Sequence, residues 1–181
     1  MKKSQLFLAI FIILIIISSV LGFVSNSNNT PNTNNDINYN GAKFTQDTQG
    51  KYQVNVNNNV FIFDYLPNDL SDIELPDFTL NQNKYYLIFN TTEKDDSITY
   101  DLNSLGYTLN LLGIKPILAC VDEQDCDVNL PIKDCSNDAF YIKKSNINKV
   151  YLQDKCVIIE GDNTGLIKSI NKINLKLIGI I

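Results

Sequence analysis

The pattern of apolar and polar positions divides the chain into three parts. Residues 6–24 form a charge-free run of 19 residues, apolar except at Ser18, Ser19 and Gly22, and preceded by Lys2 and Lys3. As a helix rising 1.5 Å per residue this run is about 28 Å long, close to the ~30 Å hydrocarbon core of a bilayer. Residues 1–24 are therefore expected to enter lipid as an anchor or signal segment. The basic end stays on the cytoplasmic side and everything after it lies outside. The pattern then collapses, since eight of the 15 residues from position 26 to 40 are Asn. Such a stretch buries too little apolar surface to offset its ordering entropy. Residues 25–41 are expected to be a disordered linker and residues 42–181 an extracytoplasmic domain.

Within that domain the period switches between two and 3.6. Tyr52, Val54 and Val56 alternate with polar residues. Asn57-Asn58-Asn59 marks a turn, and residues 60–65 place Phe61, Phe63 and Tyr65 on one face, which predicts a β-hairpin. Residues 43–46 predict a further short strand, and Pro67 ends the sheet. Residues 84–90 are nearly continuously apolar, as a strand buried on both faces is, with Tyr85 and Tyr86 filling its two sides. Asp95, Asp96 and Ser97 offer N-caps for a helix whose face is Ile98, Leu102, Leu105, Leu109 and Leu112, with Gly113 at its end. Residues 117–121 predict another buried strand. The β–α–β order implies a right-handed crossover and a parallel pair. Short strands are expected at 131–135, 139–143, 149–152 and 156–160. A last helix, with Leu166, Ile170, Ile173 and Leu177 on one face, ends at Gly179. The fold class is α/β, with α+β as the variant: a mixed sheet with an N-terminal hairpin, one βαβ crossover and a C-terminal helix, preceded by a transmembrane helix, in two or three layers.

Composition narrows the chemistry. All 15 basic residues are Lys, and the chain has no Arg, His or Trp. There is then no imidazole base, no His-ligated zinc and no guanidinium fork. With Lys2 and Lys3 inside, the exported part carries 13 Lys against 20 acids, a net charge of −7. No nucleic-acid partner is expected for such a body.

Four cysteines, Cys120, Cys126, Cys135 and Cys156, form an even set, which in an exported domain reads as disulfides. Cys120–Cys126 with Cys135–Cys156 is the favoured pairing among the three that four cysteines permit. The spacings lack the C-x2-C knuckle of a zinc ribbon, and no His stands by to activate a catalytic thiol.

Four further places offer candidate chemistry. Asp122, Asp125, Asp127 and Asn129 form an acidic loop that opens with calcium-loop spacing, but Leu130 replaces the turn glycine and Ser136 the closing Glu, so no metal is assigned. Residues 161–165 join a strand to a helix, where phosphates bind, but they match neither GxGxxG nor a P-loop, and Asp162 or Thr164 reads as an ordinary N-cap. Asp64, Asp69, Asp72 and Glu74 surround Pro67 and would suit acid–base hydrolysis if they converged. Asn28 and Asn90 head glycosylation sequons.

Several segments together resemble a loose group of uncharacterised archaeal proteins that are short, N-terminally anchored and exported. They are Phe61-Ile62-Phe63-Asp64-Tyr65-Leu66-Pro67, Leu87-Ile88-Phe89-Asn90, Pro131-Ile132-Lys133-Asp134-Cys135, Cys156-Val157-Ile158-Ile159-Glu160-Gly161 and Leu177-Ile178-Gly179-Ile180. The resemblance spans roughly two thirds of the chain and consists of sheet and helix patterns. It implies that Cys135 and Cys156 pair, and it implies no activity. The last helix carries less charge here than in that group.

The expectation is a membrane-anchored extracytoplasmic binding or envelope-structural domain without catalysis or cofactor. Its partners are the bilayer, through residues 6–24, and envelope proteins. Two alternatives stand beside it. The first is a type IV pilin-like filament subunit, cut between Ser4 and Gln5 where the short basic leader resembles an archaeal class III signal. The second is an exported hydrolase using carboxylates. Cleavage after Gly22, with small Val20 and Gly22 at the site, is the other fate of the apolar segment.

Overall fold

A computed structural model describes residues 36–122, 126 and 129–181. Both the membrane segment expected at 6–24 and Asn28 lie outside the described residues. Among the described residues the fold is mixed α/β, with two sheets and two α-helices arranged so that one helix is apolar on opposite sides.

The first sheet is an antiparallel meander: β1 (Ile37–Tyr39), β2 (Ala42–Gln46), β3 (Tyr52–Val56) and β4 (Asn59–Phe63), in that spatial order. Its tight turns come from asparagine and glycine in the left-handed region. Asn40 and Gly41 (φ 46° and 82°) join β1 to β2, and Asn57 and Asn58 (φ 52° and 65°) join β3 to β4. Two successive positive φ values give the turn whose twist matches that of the flanking strands, and Asn and Gly tolerate it best. The inner face carries Phe44, Val54, Phe61 and Phe63, all buried.

The second sheet has the order β6–β5–β7–β9–β8, from β5 (Lys84–Phe89), β6 (Lys115–Cys120), β7 (Ala139–Lys144), β8 (Lys149–Gln153) and β9 (Cys156–Gly161). Strands β6, β5, β7 and β9 are mutually parallel, and β8 closes the edge antiparallel to β9. Helix α1 (Asp96–Leu111) makes the β5–β6 crossover and helix α2 (Asn163–Leu177) follows β9. Both helices start as the sequence indicates: Asp95 caps the Ile98 amide at 3.0 Å, and Asp162 caps that of Gly165 at 2.7 Å.

Both helices pack on one face of this sheet. Ile98, Leu102, Leu105 and Leu109 of α1 and Leu166, Ile170 and Ile173 of α2 share a core with Tyr85, Leu87, Phe89, Phe140, Ile142, Val157 and Ile159. Beyond its first stripe, α2 and the residues after it present Leu175, Ile178 and Ile180 to the meander, where they join Phe44, Phe61, Phe63 and Leu70. Helix α2 thus lies between the two sheets. The opposite face of the second sheet has its own cluster, Ile88, Ala119, Ala139, Cys156 and Ile158, with Tyr86, Tyr141 and Cys135 against it. The β6–β7 connection steps across β5 in the direction opposite to α1, and a right-handed crossover then runs on this second face. No helix covers that face among the described residues. Instead the connection is fastened by Cys120–Cys126 at its start and by Cys135–Cys156 onto β9.

Four expectations change. The folded part begins at β1, inside the stretch 25–41 read as linker, because Asn40-Gly41 is a turn and Ile37 pairs with Phe44. The N-terminal hairpin belongs to its own four-stranded sheet. Residues 117–121 do not make a strand buried on both faces: β6 is an edge, with Leu118 42% exposed and Pro116 tolerated because an edge strand need not donate on both sides. Residues 131–135 give a single bridge, Cys120 to Ile132, instead of a strand.

Candidate functional site

The β3–β4 turn sets the register of everything around it. With Asn57 and Asn58 as the two loop residues, the ladder pairs Tyr52 with Phe63, and the next cross-strand positions are Lys51 and Asp64. They form an ion pair, and Tyr100 of α1 completes a triangle: its hydroxyl donates to Asp64 Oδ2 at 2.7 Å and accepts from Lys51 Nζ at 2.8 Å. The ammonium also lies 4.6 Å from the Tyr100 ring centroid. Burial alone lowers the Lys51 pKa, but its bonds to Asp64 and Tyr100 outweigh that and hold it above the ordinary lysine value. Burial raises the Tyr100 phenol.

This triangle closes one end of a cleft of about 560 Å³ between β4 and α1. Tyr107, two turns further along α1, reaches the Val60 carbonyl at 3.3 Å near the other end. Between them stand Phe61 and Ile62 on the strand side and Asn103, Ser104 and Thr108 on the helix side, with Asp47 and Gln49 from the β2–β3 turn. An apolar cleft with a few converging polar groups is the ordinary form of a ligand site.

Beside the triangle sits Asp101, with 0% exposure and no hydrogen-bond partner for either carboxylate oxygen. Ser97 Oγ, one turn earlier on the same helix, is also buried and unpartnered. Desolvation is the main cause that pushes the Asp101 pKa up to about 7. The charges of Asp64 and Asp95 add to it, and Lys144 opposes them. On the far side of α2, Asn171 Oδ1 accepts from the Asp64 and Tyr65 amides at 2.7 and 3.2 Å, fixing the end of β4.

The candidates read from sequence disperse. Asp64 is committed to Lys51 and Tyr100, Asp69 caps its own turn through the Leu66 amide at 3.2 Å, Asp72 pairs with Lys168 of α2 at 3.1 Å, and Glu74 is exposed. Asp125 and Asp127 of the acidic loop lie outside the described residues, while Asp122 and Asn129 lie within them. At residues 161–165 there is a wider-mouthed, more polar hollow of about 600 Å³, and the Asp162 carboxylate already occupies the helix start. Gly165 is needed there for close approach, since a Cβ would lie 1.9 Å from Asn148 Oδ1. Asn90 accepts from the Thr92 amide and hydroxyl at 3.1 and 2.9 Å, so the two ends of that sequon face each other. Cys120–Cys126 and Cys135–Cys156 are bonded. Tyr85 and Tyr86 fill opposite sides of the sheet as expected, on the helix-covered and loop-covered faces respectively.

Lys51, Ile62, Tyr100, Tyr107 and Asp101 are the residues that sequence reasoning passed over. Two signals were present. Hairpin register places Lys51 opposite Asp64, and Asp101 falls three residues after Ile98 and four before Leu105, on the buried side of α1. The chain matches no protein-family model, no curated protein and no solved structure. Two disulfides point to an oxidising, extracellular environment.

Proposed function

We propose that this protein is a binding or envelope-structural domain. A single membrane-spanning segment at residues 6–24 holds it on the outer side of the membrane, with the N-terminus cytoplasmic, and its partners are envelope proteins. One observation carries the binding reading: the cleft between β4 and α1, apolar at Phe61 and Ile62 and edged by tyrosine, amide and hydroxyl groups. The disulfides and the acidic, arginine-free composition support the location. The hydrolase alternative gains no support, because Asp64, Asp69 and Asp72 around Pro67 are spent on separate partners and Glu74 is exposed. The pilin-like alternative turns on residues 1–24.

The test is site-specific photo-crosslinking in intact cells. A photoreactive residue replaces Tyr107 in the cleft or Leu152 on the far edge of the second sheet. Discrete adducts with envelope proteins from either position support a binding domain. If neither position gives adducts and the chain assembles only with itself through a processed N-terminus beginning at Gln5, the reading fails in favour of the filament.

A further inference from the structure

Strand β4 is an edge, and its free side faces the cleft. In a two-residue hairpin the residues flanking the loop form a hydrogen-bonded pair, and pairs alternate from there. Val56 with Asn59, Val54 with Phe61 and Tyr52 with Phe63 therefore exchange bonds across the ladder. Val60, Ile62 and Asp64 turn their amides and carbonyls the other way, away from β3. The side-chain bonds agree: the Asp64 amide goes to Asn171 of α2 and the Val60 carbonyl accepts from the Tyr107 hydroxyl of α1. The Ile62 amide and carbonyl meet no described residue. Their side of the strand opens into the cleft, and the Ile62 and Val60 side chains are 50% and 44% exposed on the outer face of the meander.

Edge strands are commonly covered by a helix or a loop to prevent pairing. Here the cover is incomplete. Tyr107 takes one carbonyl through a 3.3 Å contact that a side-chain rotation releases, and Ile62 is left bare between two occupied neighbours. The free Ile62 amide and carbonyl, on an edge whose outward groups repeat every two residues, match an extended peptide backbone with its own N–H and C=O at the same spacing.

We infer that the cleft binds an extended peptide segment of a partner protein, which adds as a fifth strand to the free edge of β4 against α1. This rests on the binding reading above and names its mode and partner class. The added strand pairs with Ile62 and, once Tyr107 swings away, with Val60. One set of its side chains lies beside Ile62 and Val60 and is aliphatic or β-branched. The alternate set faces Ser104 and Thr108 and is small or polar.

The test uses the full chain, disulfides intact, in detergent micelles, selected against displayed random octapeptides. Enriched peptides are expected to show period-two aliphatic patterning. N-methylation of the ligand backbone at alternate amides should weaken binding at least tenfold while the intervening positions are tolerated, because only every second amide faces β4. Bound peptide should slow hydrogen exchange at the Ile62 amide at least tenfold. Ile62→Pro removes the outward amide while leaving the ladder to β3 intact, and should weaken binding tenfold. The exchange and N-methylation measurements on the unaltered protein stand even where that variant fails to fold. Failure to enrich any peptide, or binding indifferent to N-methylation at every position, or protection that spares Ile62, overturns the inference. Adducts found only from position 152 in the intact-cell experiment would retain a binding domain while removing this mode. An absence of adducts from both positions would remove the broader reading as well.

Discussion

Replacing Asp101 with Asn gives a direct measure of what burying an unpartnered carboxylate costs. Asp101 is fully buried without a hydrogen bond, and its pKa rises from 3.8 to about 7. The groups that face it are Asp64 at the end of β4, Asp95 ahead of α1 and Lys144 at the end of β7, so two acids and one base act on it. Between these two pKa values the folded state holds a proton that the unfolded chain has released. Stability therefore falls as pH rises through this window, the reverse of the usual acidic group. A shift of about three units at ~1.36 kcal/mol each amounts to roughly 4 kcal/mol by pH 7 and about 2 kcal/mol at pH 5, and it nearly vanishes at pH 4. Asn is close in shape to the protonated acid and has no charge to bury. Urea unfolding of residues 35–181, disulfides intact, should show Asp101→Asn more stable than the parent by up to about 4 kcal/mol at pH 7, with the difference shrinking toward pH 4. Taking the difference between the two proteins cancels carboxylates such as Asp95 and Glu160, whose lowered pKa values give slopes of opposite sign. A difference that is the same at every pH, or a variant less stable at pH 7, would refute the reasoning.

Three further outcomes follow from local geometry. Asn58→Val puts a β-branched residue at φ 65° and should cost about 1–2 kcal/mol by chemical unfolding, with Asn58→Gly neutral or better. Gly165→Ala drives a Cβ into Asn148 and should cost about 1–3 kcal/mol, part of which returns when Asn148→Ala is added in a double-mutant cycle. Removing the Cys135–Cys156 bridge by a paired Cys→Ser change opens a loop of 21 residues and should cost about 3 kcal/mol, against about 2 for Cys120–Cys126.

The helices and most strands were legible because their signals are local. Asp95 and Asp162 cap among the positions expected, and the steps of three and four among Ile98, Leu102, Leu105 and Leu109 match a buried face, but Leu112, the last member of the expected face, is the C-cap and 40% exposed. Layering was less legible. The apolar face read for α2 is Leu166, Ile170, Ile173 and Leu177, and a single stripe implies one neighbour. Leu175, Ile178 and Ile180 face a second sheet, so the residues between the two stripes, Asn171 and Asn174, are buried as well. An apolar run cannot separate an edge strand from a central one, so residues 117–121 predict a buried strand where β6 is an edge. The cleft was hidden for a different reason: Ile62 matters through its backbone edge, and Tyr100 and Tyr107 stand on the face of α1 that periodicity assigns to solvent.

If the acidic body faces the outside of the cell, as proposed, its surface is open to reagents that do not cross the membrane. The direct measurement is labelling of an Ile147→Cys variant with a membrane-impermeant maleimide, because Ile147 is 68% exposed and far in sequence from the cleft. Modification in intact cells, equal to that in lysed cells, is the predicted result. Labelling that appears only after lysis, with the four native cysteines then found as free thiols, would contradict it.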